Sequence, residues 1–165
     1  MPTQVRHAWS QALVLAVVVV ASAVVVAAAD RPNIVFILAD DFGWTDSRSW
    51  GSDYYLTPHL DRLSEQGMRF PQAYAFPNCM PFRAALMSGQ YAPRTGVYTV
   101  TNGNRGQAGN RRLDAPPNRR SLDFELVTLA ESMRLAGYAT GHFGKWHMGG
   151  ENEGGYPTAQ GFEVN

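Results

Sequence analysis

Three short groups of side chains in this sequence could do chemistry: Asp40-Asp41, Cys79 with Arg83, and Lys145 with His147. Cys79 is the only cysteine, and it is followed by Pro81, Arg83, a helix-forming run and Gly89. Proline is at home in a first helical turn, where its missing N–H is not needed, and glycine just past a helix is the usual left-handed cap. The pattern predicts that Cys79 sits at or just before a helix N-terminus. There the unpaired N–H groups and the positive dipole end favour an anion. Arg83 is one turn further on and can share the face of Cys79. A reactive side chain, a helix N-terminus and a fixed cation together make an oxyanion site. The ordinary alternative for a lone cysteine is a buried structural thiol; Pro81 and Arg83 favour the site.

The elements that must position these residues can be read around them. Asn33 to Ala39 is a continuous apolar run rich in β-branched residues, which predicts a central strand covered on both faces, as in a parallel sheet. It runs into Asp40-Asp41 and Phe42-Gly43-Trp44. Two carboxylates at the end of a buried strand are costly unless something pairs them. In open α/β sheets that edge is where ligands bind, and such hard oxygen donors suit Ca²⁺ or Mg²⁺. A solvated loop or a helix cap is the plainer reading of the same two residues.

Thr57 to Gly67 predicts a helix, with Thr57 as N-cap, Pro58 in the first turn, and Leu60 and Leu63 as its apolar stripe. His59 falls on its surface. Met68 to Ala75 predicts a second strand, which leads to Cys79. Thr128-Leu129-Ala130-Glu131 is a capping-box pattern; Leu129, Met133 and Ala136 continue at helical spacing and Gly137 closes the helix. Tyr138 to Phe143 predicts a third strand, interrupted by His142. Strand, helix and strand with short links imply a right-handed parallel crossover. Lys145 and His147 alternate along an extended chain and so point to one side. A core-edge histidine and a snorkelling lysine are the plain alternatives.

The chain has 165 residues with 14 basic and 14 acidic side chains, which fits one ordinary domain. A balance near zero gives no reason to expect nucleic acid as a partner. Met1 to Ser10 is mildly basic, Ala12 to Ala29 almost wholly apolar, and Ala27-Ala28-Ala29 precedes Asp30. This is the layout of a secretory signal, so residues 1–29 are expected to be a signal peptide cleaved near Ala29, and residues 30–165 the folded part. An uncleaved membrane anchor is the alternative. Either places the folded part outside the cytoplasm: periplasmic, extracellular or in the secretory-pathway lumen. Thr101 to Arg120 is polar and aperiodic, with Arg105, Arg111, Arg112, Arg119 and Arg120 against Asp114 alone, and reads as a long surface loop. Its arginines could grip an anionic ligand, or simply face solvent.

Cys79-Met80-Pro81-Phe82-Arg83, with the tail Ala84 to Gly89 and Pro93-Arg94-Thr95-Gly96-Val97, resembles the Cys-x-Pro-x-Arg signature of the sulfatases of the alkaline phosphatase superfamily. Gly144-Lys145-Trp146-His147-Met148-Gly149 is similar to their second signature, and Asp40-Asp41 to their metal-binding pair near the mature N-terminus. Gln160-Gly161-Phe162-Glu163 is similar to a further family string. The resemblance covers Arg31 to Phe162. One position departs from it: the residue before the arginine is most often serine, and here it is Phe82. Because Cys, Pro and Arg are what the converting enzyme chiefly reads, conversion is expected to survive.

The resemblance implies an α/β, alkaline phosphatase-like fold with a largely parallel central sheet flanked by helices, of which this chain is the N-terminal, incomplete portion. It implies that Cys79 is oxidised to formylglycine by a sulfatase-maturing enzyme, and that its hydrate attacks sulfur and expels the alcohol. A divalent cation, Ca²⁺ with Mg²⁺ as alternative, would be held by Asp40 and Asp41 and would meet the nucleophile at Cys79, lowering its pKa. Arg83 and Lys145 would neutralise the sulfate, and His147 would orient the nucleophile. The family completes this site with an Asp-Asn pair, a histidine and a lysine much further along, so the chain by itself is expected to be inactive. Three other readings stay open: a phosphomonoester or phosphodiester hydrolase of the same superfamily, a non-catalytic exported fragment that binds sulfated glycans, and an unfolded remnant. The ester itself, whether aryl, sugar or polysaccharide sulfate, is not legible.

Overall fold

A computed structural model describes residues 31–150 and 155–165; the expected signal at 1–29 lies outside the described residues. The backbone divides into two units, Met1–Leu38 and Ala39–Asn165. In the first, residues 31–38 carry no regular secondary structure. Their apolar side chains face solvent, with Val35 84% and Ile37 77% exposed. This corrects the expectation of a covered central strand. A strand exists only when a neighbour takes its N–H and C=O groups, and no strand is formed among the described residues.

The second unit is built around one helix. Among the described residues the helices are α1 (Pro58–Gln66), α2 (Cys79–Ser88), α3 (Ala92–Thr95) and α4 (Leu129–Leu135), with 3-10 turns at Arg48–Trp50, Ala108–Asn110 and Pro157–Gln160. α2 begins as its sequence predicts. Asn78 is extended, Cys79 is the first helical residue and Pro81 lies in the first turn. The first bond back to Asn78 O comes from Phe82 N, at 3.1 Å. Gly89 ends the helix with φ 65° and donates to Ala85 O at 2.8 Å, a conformation that costs glycine nothing.

Met80, Ala84 and Met87 of α2 recur at helical spacing and are buried. They meet Val97, Leu122, Ala130 and Met148 in a small core, with Trp146 and Phe162 packed at its edge. α3 is a single turn closed by Gly96 at φ 72°, and it delivers Val97 into that core fully buried. α4 carries the full capping box: Glu131 N donates to Thr128 Oγ1 at 3.2 Å, and Thr128 N donates to Glu131 Oε2 at 2.7 Å. Thr128 Oγ1 also donates to Gln160 O at 2.7 Å, which ties α4 to the 3-10 turn that follows.

The expected helix over 57–67 forms, but Thr57 does not cap it with its side chain. Its hydroxyl accepts from Arg48 N at 2.9 Å and donates to Asp61 Oδ1 at 3.1 Å, pinning the preceding 3-10 turn. Leu60 and Leu63 remain exposed. The stretches 68–75 and 138–143 are irregular rather than strands. One isolated parallel bridge, Gly141 with Val164, is formed, helped by Glu163 N to Thr140 O at 2.9 Å. The loop from 101 to 120 closes on Asn118, whose Oδ1 accepts from Tyr98 N and Thr99 N and whose Nδ2 donates to Thr99 O and Thr101 O.

Candidate active site

Arg83 lies in the same helical stripe as Met80, Ala84 and Met87 and is itself only 7% exposed. A guanidinium in a core stripe must be paired, because an unpaired buried charge is strongly disfavoured. The pairing is supplied from two distant segments. Arg83 Nη1 donates to Lys145 O, and Nη2 donates to Asp40 Oδ1 at 3.3 Å. The other oxygen of Asp40, Oδ2, accepts from Lys145 Nζ. One carboxylate therefore holds both cations, one on each oxygen, and the three residues knit together segments that start far apart in sequence. Arg83 Nε is buried and meets no partner among the described residues.

The electrostatics follow from this contact. The hydrogen bond from Lys145 holds the Asp40 carboxyl below its ordinary value, with Arg83 adding to the effect. The Asp40 bond raises Lys145 in turn. The field of Cys79 adds to that rise, while desolvation and Arg83 oppose it. Cys79 itself is the first residue of α2, the helix that carries Arg83. His147 is pushed below its ordinary value by burial first, then by Lys145 and Arg83, against a smaller opposing effect of Asp40. Its Nδ1 is buried without a hydrogen-bond partner among the described residues.

The structure brings Asp40, Arg83 and Lys145 into contact, with Cys79 opening the helix that carries Arg83 and His147 two residues beyond Lys145. Two details differ from what the sequence led us to expect. Lys145 and His147 do not simply alternate along an extended chain, because His147 has φ 61° and Gly144 has φ 102°. Asp41 is not drawn in. Its backbone is left-handed at φ 54° and the residue is exposed. As a metal centre, Asp40 and Asp41 fit a hard divalent cation in kind, since both are carboxylate oxygens. They do not fit it in number: such a cation takes about six to eight oxygens, and no group of three His, Cys, Asp or Glu gathers among the described residues.

Phe82, the departure from the signature, does not join the ionic cluster. It lines an open depression of about 370 Å³ with Tyr74, Phe76, Ala85 and Tyr91, where Phe76 and Tyr91 meet edge to face at 5.9 Å. In the arginine loop, Arg105 Nη1 donates to Asn102 O at 2.8 Å, and Arg111 and Arg119 pair with Asp114 and Asp123 at 3.4 and 2.9 Å. Those three side chains serve the loop's own shape.

What the sequence did not announce is that Asp40 neutralises two cations at once; the only signal was the general cost of unpaired acids at a strand end. The ring cluster of His142, Trp146 and Phe162, with centroids 5.1 to 6.0 Å apart, was equally invisible. It seats the Lys145–His147 segment against the string around Phe162.

The chain is 44% identical over 126 residues to a sulfatase of Formosa agariphila, covering 71% of this chain and 23% of that protein. It is 40% identical over 138 residues to human arylsulfatase A, covering 82% and 25%. It therefore spans about a quarter of the length of these curated relatives. Its backbone matches the crystal structure of Ps i-CgsB with a TM-score of 0.67 at 32% identity, over 81% of this chain and 27% of that one. The sulfatase family model matches residues 32–164, and the segments that carry Asp40, Cys79, Arg83, Lys145 and His147 all fall within that match, so the chain belongs to the sulfatase family.

Proposed function

We propose that the protein hydrolyses sulfate esters, with position 79 as the nucleophile-bearing residue. The observation that carries this is the joining of Asp40 and Lys145 by Arg83, a residue of the helix that Cys79 opens, into one ionic cluster. Converted to formylglycine and hydrated by one water, position 79 would supply a hydroxyl of the resulting gem-diol to attack sulfur and expel the alcohol. A divalent cation, calcium in the first place, would draw two of its oxygens from Asp40 and Asp41 and lend Lewis-acid character.

The chain's own residues do the rest. Lys145, with its side chain 41% exposed, is the cation able to reach a sulfate oxygen. Arg83, nearly buried, fixes the segments that carry Asp40 and Lys145 and adds positive charge behind the anion. His147 is held neutral by burial and so can accept or donate one hydrogen bond at the nucleophile. The N–H groups of the first turn of α2 favour the developing negative charge.

This reading includes an alkaline phosphatase-like, largely parallel sheet, a signal at residues 1–29 ahead of a folded part from 30, and export from the cytoplasm. It also includes a maturing enzyme acting on Cys79, and an aryl, sugar or polysaccharide sulfate as substrate. The test is turnover of p-nitrophenyl sulfate by the full-length protein and its Cys79→Ala variant. Loss of turnover with an unchanged far-UV circular dichroism spectrum is the expected result; activity that survives the substitution refutes the mechanism. Turnover of p-nitrophenyl phosphate instead would assign the site to phosphate esters.

A further inference from the structure

Charge is spread unevenly along this chain. Six of its 14 basic side chains and one of its 14 acidic ones fall between Arg94 and Arg120. The balance of the whole sequence hides this segregation. A stretch so one-sided attracts anions, over a distance set by the ionic strength.

The segment is laced into one body. Asn118 fastens its neck to residues 98–101. Further out, Ala115 N donates to Asn104 Oδ1 at 2.7 Å, and Arg111 Nη1 donates to Gly106 O at 3.5 Å. Arg119 N donates to Gly96 O at 2.8 Å. Its side chain lies against that glycine, where a Cβ would come within 3.1 Å of Arg119 Cδ. This ties the returning arm of the loop to the end of α3, which carries Arg94. The loop has no apolar core of its own to hold it, since Leu113 is 87% exposed; polar contacts hold it instead. Arg105, Arg111 and Arg119 are used in them. Arg94 and Arg112 are exposed and make no ion pair or side-chain hydrogen bond among the described residues. They are cations on a fastened frame, so a ligand that pairs with them orders little backbone on binding.

The kind of anion follows from what else the segment holds. Tyr98 is the only aromatic residue between Arg94 and Arg120, so there is no row of rings on which the bases of a single strand would stack. From Gly96 to Thr128 the described structure is one 3-10 turn and irregular chain, which offers no helix to a duplex groove. Guanidinium groups pair with oxyanions two oxygens at a time. Several cations set along one segment are matched by a ligand with several anions along one chain.

We propose that residues 94–120 form a docking surface for a sulfated polysaccharide, with Arg94 and Arg112 as its anion-binding side chains. The inference rests on the proposed function for the identity of the anion. It narrows the substrate from sulfate esters at large to a polymer, held along this segment while one of its esters is cleaved.

The full-length protein is compared with Arg112→Gln, Arg112→Lys and the double variant Arg94→Gln/Arg112→Gln, each checked by far-UV circular dichroism. Heparin affinity is measured by calorimetry at low and at physiological ionic strength. Affinity for a single-stranded DNA oligonucleotide and KM for p-nitrophenyl sulfate are measured beside it. Heparin binding should weaken with salt. It should fall at least about fivefold in the double variant, as for two exposed ion pairs in the middle of their usual range. Arg112→Gln alone should account for about half of that loss on a logarithmic scale, and Arg112→Lys, which keeps the charge, should recover most of it. The KM for p-nitrophenyl sulfate should not change. Equal heparin affinity in all four proteins overturns the proposal. So does DNA binding as tight as heparin binding, and so does a KM for the small ester that rises in the double variant. If the double variant fails to fold, the two Arg112 variants decide alone. The two readings fail separately. Heparin binding weakened by the substitutions, in a protein that does not turn over p-nitrophenyl sulfate, sinks ester hydrolysis and leaves the docking surface standing; turnover with heparin affinity untouched does the reverse.

Discussion

Lys145 and Asp40, separated by 105 residues in sequence, form a direct ion pair between Nζ and Oδ2. Arg83 joins the same carboxylate and also takes the carbonyl of Lys145, so a single buried guanidinium braces the two other partners. This bridge, rather than a sheet, is what holds the candidate site in its present shape, and several outcomes follow from it.

Arg83→Lys keeps the charge but not the planar fork that reaches two acceptors at once. The Lys145 carbonyl or the Asp40 oxygen is then left without its donor. We expect a loss of about 1–3 kcal/mol in unfolding free energy, read from denaturant unfolding. A loss under about 0.5 kcal/mol, the usual range for a neutral surface change, would show that the bridge contributes nothing.

Asp40 and Asp41 are adjacent in sequence and unequal in structure. In chelator, Asp40→Asn should lower the melting temperature, because two cations lose their common partner. Asp41→Asn, at an exposed position outside the ion pairs, should leave it unchanged. Equal effects of the two substitutions on thermal unfolding would contradict the division of roles described here.

Much of this was legible locally and little of it at a distance. The ends of α2 were readable because Pro81 and Gly89 act through their own backbone, and the cap of α4 because Thr128 and Glu131 are three residues apart. The segment at 33–39 was not: its apolar run says what it would do beside a partner, and ladder bonds are made by another segment. The ionic cluster was legible only as a set of residue types. Nothing in the spacing of Asp40, Arg83 and Lys145 says that one carboxylate holds both cations. The left-handed backbone at His147 was likewise hidden, since alternation assumes an extended chain.

Thr128→Ala removes a hydroxyl that accepts from Glu131 N and donates to Gln160 O. The cost should be about 1–2 kcal/mol, towards the upper part of the range for lost N-caps, and Thr128→Ser should recover most of it. Chemical denaturation of both variants checks this. An alanine variant as stable as the serine one would mean that neither bond matters.

His147 gives a pH dependence with a definite sign. Its folded value lies below the ordinary 6.5 because burial disfavours the charged ring. Below 6.5 the unfolded chain therefore binds more protons than the folded one. The stability due to neutral His147 is fully present above 6.5 and is lost as pH falls from there through the lowered folded value. Unfolding free energy followed from pH 8 down to pH 5 should drop more steeply for the unaltered protein than for His147→Gln. Parallel curves would show that the ring titrates as it does in water.

Asn118 fastens the base of the arginine loop through four hydrogen bonds to the backbone of residues 98–101. The segment between Asn102 and Asn118 is in effect sewn shut at its neck. Its length is then uncoupled from the rest of the chain: doubling a loop that is already closed costs only about 0.6 kcal/mol. New residues inserted there would leave the Asp40 cluster undisturbed. The neck makes this loop a natural place for related chains to differ in length, and a suitable one for grafting a foreign binding sequence.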